Sequence, residues 1–229
     1  MPALLLFDID GTLVDTGGEG GFALLDAVEE VLGMPRHLVP PLQLAGATDG
    51  GITRQLFSQL GLPWCDRKAG DYLHAYLKHL KVRLCSPHSP ALLIEGAGGV
   101  LEELAKSKEV HLGLLTGNLK AGAEIKLTQF GVWHHFISGA FADDAEDRNL
   151  LGPFALKRME EATGVSYSKD EVFVIGDTPK DIACAHAFGA RCIAVTTGSY
   201  DRASLEAHQP WAILDTLAGQ GLHQLLATR

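Results

Sequence analysis

Residues 3–12 read ALLLFDIDGT: five apolar residues, Ala3 to Phe7, run straight into Asp8 and Asp10 and then into Gly11-Thr12. A continuous apolar run of this length suits a strand buried on both faces, as in a parallel sheet, and Asp and Gly are ordinary residues of the turn that ends it. Four further short runs repeat the pattern: Val110-Leu115, Val172-Ile175, Cys192-Val195 and Ala212-Leu214. Stretches of helical spacing separate them, so the expected fold class is α/β, a parallel sheet covered by helices. Helices are expected from Leu119 to about Phe130, closed by Gly131, and from about Lys180 to Phe188, closed by Gly189.

The alternation breaks between about Gly17 and Pro90. Here Phe22, Leu25, Val28 and Leu32, and then Leu73, Tyr76, Leu77, Leu80 and Leu84, recur at helical spacing with no convincing strand between them. This predicts an inserted helical domain over 17–90 and a core domain made of 1–16 and 91–229. The glycine-rich stretch 17–21 and Ser86-Pro87-His88-Ser89-Pro90 edge the insertion, as hinges or as plain surface loops.

Composition narrows the partners. A formal net charge of −9 argues against general attraction to nucleic acid or an anionic membrane surface, and 46% hydrophobic residues support a real core. Cys65, Cys85, Cys184 and Cys192 are widely separated and form no CxxC pair, so zinc and redox motifs are not indicated and the four read as reduced, mostly packing residues. No stretch approaches the roughly 20 apolar residues that span a bilayer, and the N-terminus lacks the pattern of a signal peptide. The expectation is a cytoplasmic protein, monomer or homodimer.

In an open parallel sheet, ligands bind beyond the carboxyl ends of the strands. After the first run come Asp8 and Asp10; after the second, Thr116-Gly117-Asn118; after the third, Gly176-Asp177-Thr178-Pro179-Lys180-Asp181. Four carboxylates, a hydroxyl and an amide would converge on one crevice. So many like charges repel unless a cation sits among them, and hard oxygen donors suit Mg²⁺.

The segments DIDGT, LLTGN and VIGDTPKD, in this order and with a helical insertion after the first, resemble the haloacid dehalogenase superfamily, within it the phosphoglycolate phosphatase-like branch. The resemblance covers essentially the whole core and only loosely the insertion. It implies a Rossmann-like core, a helical cap, and a Mg²⁺-dependent phosphatase acting on a small phosphorylated metabolite, phosphoglycolate-like or a sugar phosphate. Asp8 then resembles the nucleophile that forms an aspartyl phosphate, and Asp10 the general acid and base. Thr116 resembles a donor to the phosphoryl oxygens, beside Gly117. Asn118 either caps the following helix or touches substrate. Asp177 resembles a direct Mg²⁺ ligand and Asp181 a water-mediated ligand or orienting partner, completed by the Asp8 carboxylate and the Asp10 carbonyl.

One element departs from the family pattern. The usual Lys, often followed by Pro, before the last motif is missing, and DDAEDRNLLGPFAL offers Arg148 instead. A guanidinium can bridge carboxylate and phosphate. Lys126, in the helix after LLTGN, is the rival, whereas Lys157 lies too deep in the next helix. In the insertion, Gly46-Ala47-Thr48-Asp49 and Arg54 resemble the substrate-reading segment, with Arg54 either binding a second anionic group or standing as a solvated helix cation. His134-His135 are adjacent and diverge, so they read as structural rather than metal-binding.

Other readings share parts of the pattern. A phosphosugar mutase of the same superfamily also uses paired aspartates. A haloacid dehalogenase proper does not need Asp10 or Asp177, and a phosphonate hydrolase lacks the second aspartate of DIDGT. A non-catalytic phosphoryl-accepting or binding module has an aspartate-rich site too, but a receiver domain is shorter and has no place for the insertion.

Overall fold

The computed structural model describes residues 2–227; positions 1, 228 and 229, the outer ends of the expected core domain, lie outside the described residues. The ALLLF run is β1 (Ala3–Phe7), fully buried along its length. A two-residue strand follows, β2 (Val14–Asp15), and then three helices: α1 (Glu19–Leu32), α2 (Asp49–Gln59) and α3 (Asp66–Leu84). β3 (Leu92–Leu93) precedes the alternating part. That part comprises α4 (Ala97–Lys106), β4 (Val110–Leu115), α5 (Lys120–Gln129), β5 (Ser138–Ala140), α6 (Leu151–Thr163), β6 (Val172–Gly176), α7 (Pro179–Phe188), β7 (Arg191–Val195), α8 (Arg202–Glu206), β8 (Ala212–Leu214) and α9 (Gly221–Ala227).

Six strands form a parallel sheet in the order β5-β4-β1-β6-β7-β8, so β1 sits inside it. Its neighbours are paired in register, Phe7 opposite Leu114 on one side and Ile175 on the other. Alternate side chains feed two cores. Leu5 and Phe7 join Leu112, Leu114 and Phe173 on one face; Leu4 and Leu6 join Val172, Val174 and residues of α6 and α7 on the other. Because both faces are covered, the strands are apolar without alternation, which is what made them readable.

α1, α6 and α7 end at glycines in a left-handed backbone; Gly189 after α7 has φ 77°. At its start α7 carries a reciprocal cap between Thr178 and Asp181, with Pro179 in the first turn. α1, α2 and α3 bury a third cluster that includes Ala23, Val28, Leu56, Tyr72 and Leu80. The face expected for α1 is shifted, since Phe22 is exposed and Ala23, Leu24, Ala27 and Val28 carry the burial. The connections into and out of this helical unit lie side by side, because β2 and β3 pair antiparallel, Val14 with Leu93.

Three strands escaped the sequence. β5 reads Ser-Gly-Ala, and β2 and β3 are two residues each, too short for any period to show. The expectation that the cysteines mostly pack holds for Cys184 and Cys192; Cys65 and Cys85 are exposed. His134 and His135 lie in a short 3₁₀ turn with their rings 4.0 Å apart.

Candidate active site

The turn after β1 is built by hydrogen bonding. The Asp8 amide donates to the Ile175 carbonyl at 2.9 Å, which extends the strand pairing by one residue, and buried Ile9 separates Asp8 from Asp10. Gly11 then takes φ 79°, a conformation costly for residues with a Cβ, and its amide donates to the Val14 carbonyl. The two carboxylates are thereby presented to the same cleft, of about 460 Å³, at the carboxyl ends of β1, β4 and β6.

Asp8 is buried, and the Arg148 Nη2 lies 3.1 Å from its Oδ1. Arg148 is itself buried, in the 3₁₀ turn before α6; it also donates to an Asp181 oxygen and to the Leu115 and Gly46 carbonyls, the last two at 3.3 Å. Lys126 has a different partner. Its Nζ donates to both Asp10 oxygens at 2.7 and 2.6 Å and to the Asn118 Oδ1 at 2.6 Å. Asn118 in turn donates to Asp10 at 2.8 Å and to the Thr116 hydroxyl at 2.9 Å. The two candidate cations therefore divide the aspartate pair between them. Asn118 does not cap α5, whose N-cap position is Leu119; the Leu119 amide is taken by an Asp49 oxygen at 2.8 Å.

Asp177 and Asp181 differ in freedom. Both oxygens of Asp181 are engaged, one by Arg148 and the other by the Thr178 amide and hydroxyl at 2.9 and 2.7 Å. Among the described residues Asp177 receives only the Thr12 hydroxyl, at 3.2 Å. Its carboxylate is cradled by Gly11 and Gly198: a Cβ on either would overlap it. Oxygens of Asp8, Asp177 and Asp181 all lie within 4.8 Å of one another. Burial, reinforced by Asp181 and Asp8, pushes the Asp177 carboxyl up to about 8. Burial also raises Asp8 to about 6, with Arg148 opposing and Asp181 and Asp10 adding. Crowded, buried carboxylates with hard oxygen donors, and no cation ion-paired with Asp177 among the described residues, are a donor set that fits a hard divalent cation.

Of the residues expected from the insertion, Asp49 lines the cleft, with its amide donating to the Gly117 carbonyl at 2.7 Å. Thr48 caps α2 and donates to the Glu146 carbonyl at 2.6 Å. Arg54 stands elsewhere. Its guanidinium is paired with both Glu146 oxygens at 2.5 Å and sits 3.9 Å from the centroid of the Trp64 ring, outside the cleft. It ties the helical unit to the core rather than facing a ligand. Sequence reading missed a fourth strand end: Thr197, whose hydroxyl donates to the Gly11 carbonyl at 2.6 Å, and Gly198 follow β7 and line the same cleft. The signal was the strand-end rule itself, applied to three runs and not to Cys192-Val195.

The family model described as "Haloacid dehalogenase-like hydrolase" matches residues 5–195. The chain belongs to this family. Among curated relatives, "Probable phosphatase IndB" of Dickeya dadantii is 29% identical over 95% of this chain and 91% of its own length. A phosphoglycolate phosphatase of Rhodospirillum rubrum is 25% identical over 96% of this chain and 90% of its own. In three dimensions, a hydrolase from Pseudomonas syringae superposes with a TM-score of 0.73 at 21% identity, covering 99% of both chains, which establishes a shared fold. Among the described residues no helix is long and apolar enough to cross a membrane.

Proposed function

We propose that this haloacid dehalogenase-like hydrolase is a Mg²⁺-dependent cytoplasmic phosphatase that cleaves a small phosphorylated metabolite through an aspartyl phosphate on Asp8. The observation that carries the reading is the pairing of Asp8 with Arg148 at 3.1 Å beside Asp177, while Asp10, two residues on, is held separately at the same cleft. Relatives bearing phosphatase names over nearly the whole chain support it. The division into a core of 1–16 and 91–229 and a cap of 17–90 is part of the same reading.

In the first half-reaction an Asp8 oxygen attacks phosphorus and the bond from phosphorus to the ester oxygen breaks. Asp10, protonated, gives its proton to the departing oxygen. In the second, Asp10 takes a proton from water as the water oxygen attacks phosphorus, and the bond from phosphorus to Asp8 breaks, releasing phosphate. Lys126 occupies both Asp10 oxygens, so the proton transfers require Asp10 to turn away from Lys126 toward the cleft. Arg148 keeps the Asp8 carboxylate oriented and offsets charge on the phosphoryl group. Asp8, Asp177 and the Asp10 carbonyl would hold the Mg²⁺, with Asp181 orienting, and the metal supplies neutralisation of the dianionic phosphoryl group.

The test is phosphate release from p-nitrophenyl phosphate with Mg²⁺ and with excess chelator, for the parent chain and Asp8→Asn. Multiple turnovers that need Mg²⁺ and vanish in Asp8→Asn are expected. Undiminished turnover in chelator or in the variant would sink the mechanism, and a single phosphoryl transfer without turnover would make the chain an accepting module.

A further inference from the structure

The cleft has a floor and a roof. Asp8, Asp177 and Arg148 belong to the floor, whereas Leu24, Leu44, Ile52, Asp49 and Tyr76 come from the helical unit above it. The two cations that line the cleft are both committed, Arg148 to Asp8 and Asp181, Lys126 to Asp10 and Asn118. Within the helical unit, Arg36, Arg54, Lys78 and Arg83 are each paired with a carboxylate, and none of them lines the cleft. A leaving group under this roof therefore meets no cation from the helical unit, and in the resting site the two core cations already hold carboxylates.

It meets two other kinds of surface. Leu24, Leu44 and Ile52 are apolar. Tyr76 is 2% exposed, lines the cleft, and its hydroxyl makes no hydrogen bond among the described residues, whereas the hydroxyl of its neighbour Tyr72 donates to the Leu24 carbonyl at 3.3 Å. The hydroxyl itself is not sealed off from the cleft, so a ligand there can pair with it. Burial and the nearby Asp49 and Asp10 hold the Tyr76 phenol well above its usual range, so it stays protonated. Asp49, raised by burial to about 6, is ionised at pH 7.5, and one of its oxygens is already taken by the Leu119 amide.

The geometry points to an uncharged alcohol as the leaving group, its carbon chain against Leu24, Leu44 and Ile52 and a second hydroxyl paired with Tyr76, while Asp49 excludes a second anion. The inference rests on the phosphatase reading and narrows it, away from phosphoglycolate and toward polyol phosphates. A carboxylate placed at the second hydroxyl would share the cleft with ionised Asp49, whose electrostatic partner Lys126 is already engaged by Asp10 and Asn118 in the resting site, and like charges in one low-dielectric cleft disfavour each other.

Two substrates on the same two-carbon frame decide it: 2-hydroxyethyl phosphate and 2-phosphoglycolate differ by CH₂OH against COO⁻. Assayed with the full chain and Mg²⁺ at pH 7.5, the ester of the uncharged alcohol should have the higher kcat/KM by about tenfold or more. Tyr76→Phe should lower kcat/KM on 2-hydroxyethyl phosphate more than on ethyl phosphate, by roughly three- to tenfold between the two. Leu44→Lys, which brings an ammonium to the roof, should raise the relative rate on phosphoglycolate. Equal or better hydrolysis of phosphoglycolate by the parent chain, or identical losses on both esters of uncharged alcohols in Tyr76→Phe, would overturn the inference and leave the phosphatase reading intact. Failure to release phosphate from any ester, p-nitrophenyl phosphate included, would overturn that reading and this inference with it.

Discussion

In chelator, raising the pH from 5 to 8 should cost the protein on the order of 7 kcal/mol of stability. Asp177 supplies most of it, because burial with Asp181 and Asp8 alongside raises it from 3.8 to about 8. Asp8 and Asp49, each raised by burial to about 6, add smaller shares. A carboxyl raised in the folded state keeps its proton where the unfolded chain has already lost it. Its favourable contribution is therefore whole below the unfolded value of 3.8 and is lost as the pH climbs through the folded one. Each retained proton is worth about 1.4 kcal/mol per pH unit; Asp177 retains its proton over about three units of the window, Asp8 and Asp49 over about one each. Carboxyls that ion pairs lower, such as Asp144 and Glu146, titrate below the window, and His135, lowered by burial, opposes the trend only in its acidic half. Urea unfolding at pH 5, 6, 7 and 8 in chelator measures the slope. Mg²⁺ at 100 times its Kd should return about 2.7 kcal/mol at the alkaline end, and Asp177→Asn should flatten most of the slope in chelator. Stability that is level or rising from pH 5 to 8 without metal would refute the crowding argument.

The two buried cations should separate by what they hold. Arg148→Met strips the guanidinium from two buried carboxylates and should cost about 3–5 kcal/mol in unfolding experiments, whereas Lys126→Met should act through Asp10 and lower kcat by roughly 100-fold or more. That second loss should shrink on p-nitrophenyl phosphate, whose leaving group needs little protonation, and single-turnover rates on an alkyl and an aryl ester check it. Arg54→Ala should change kcat/KM by the same factor on every substrate, because its partners are Glu146 and Trp64 outside the cleft, and 0.5 M salt should produce a similar change in the parent chain; a loss confined to doubly anionic esters would put Arg54 back in contact with substrate.

The parts of the fold that sequence exposed are those where burial on both faces leaves an unbroken apolar run. β1, β4 and β8 fall on the expected residues, and β6 and β7 extend by one at an end. β5 carries Ser138 and Gly139, whose small side chains leave no hydrophobic trace; Gly139 is there because a Cβ would overlap the Leu114 carbonyl. At the site, the strand-end rule brought Asp8, Asp10, Thr116, Asn118 and Asp177 to one crevice, since backbone topology alone places them. What a helix surface presents depended on packing that no local pattern encodes. Arg54 has the same spacing whether it faces the cleft or Glu146, and Tyr76 reads as one more core residue of α3 until its hydroxyl is seen without a partner. Lys126 shows the same limit from the other side: a lysine in a helix looks solvated, yet this one is buried against Asp10.

The position of β1 also fixes an order of events when the chain is made. Ala3–Phe7 leaves the ribosome before either of its neighbours, Val110–Leu115 and Val172–Gly176, so its pairing on one side waits for more than a hundred further residues and on the other for longer still. Meanwhile α1, α2 and α3, whose cluster is drawn almost wholly from nearby sequence, have everything they need to pack. This wholly apolar segment thus goes long without a partner during synthesis, and Asp8 and Asp10, directly behind it, put charge next to a stretch that would otherwise invite misassociation. The same two aspartates that line the cleft put charge beside the nascent strand before any cleft exists.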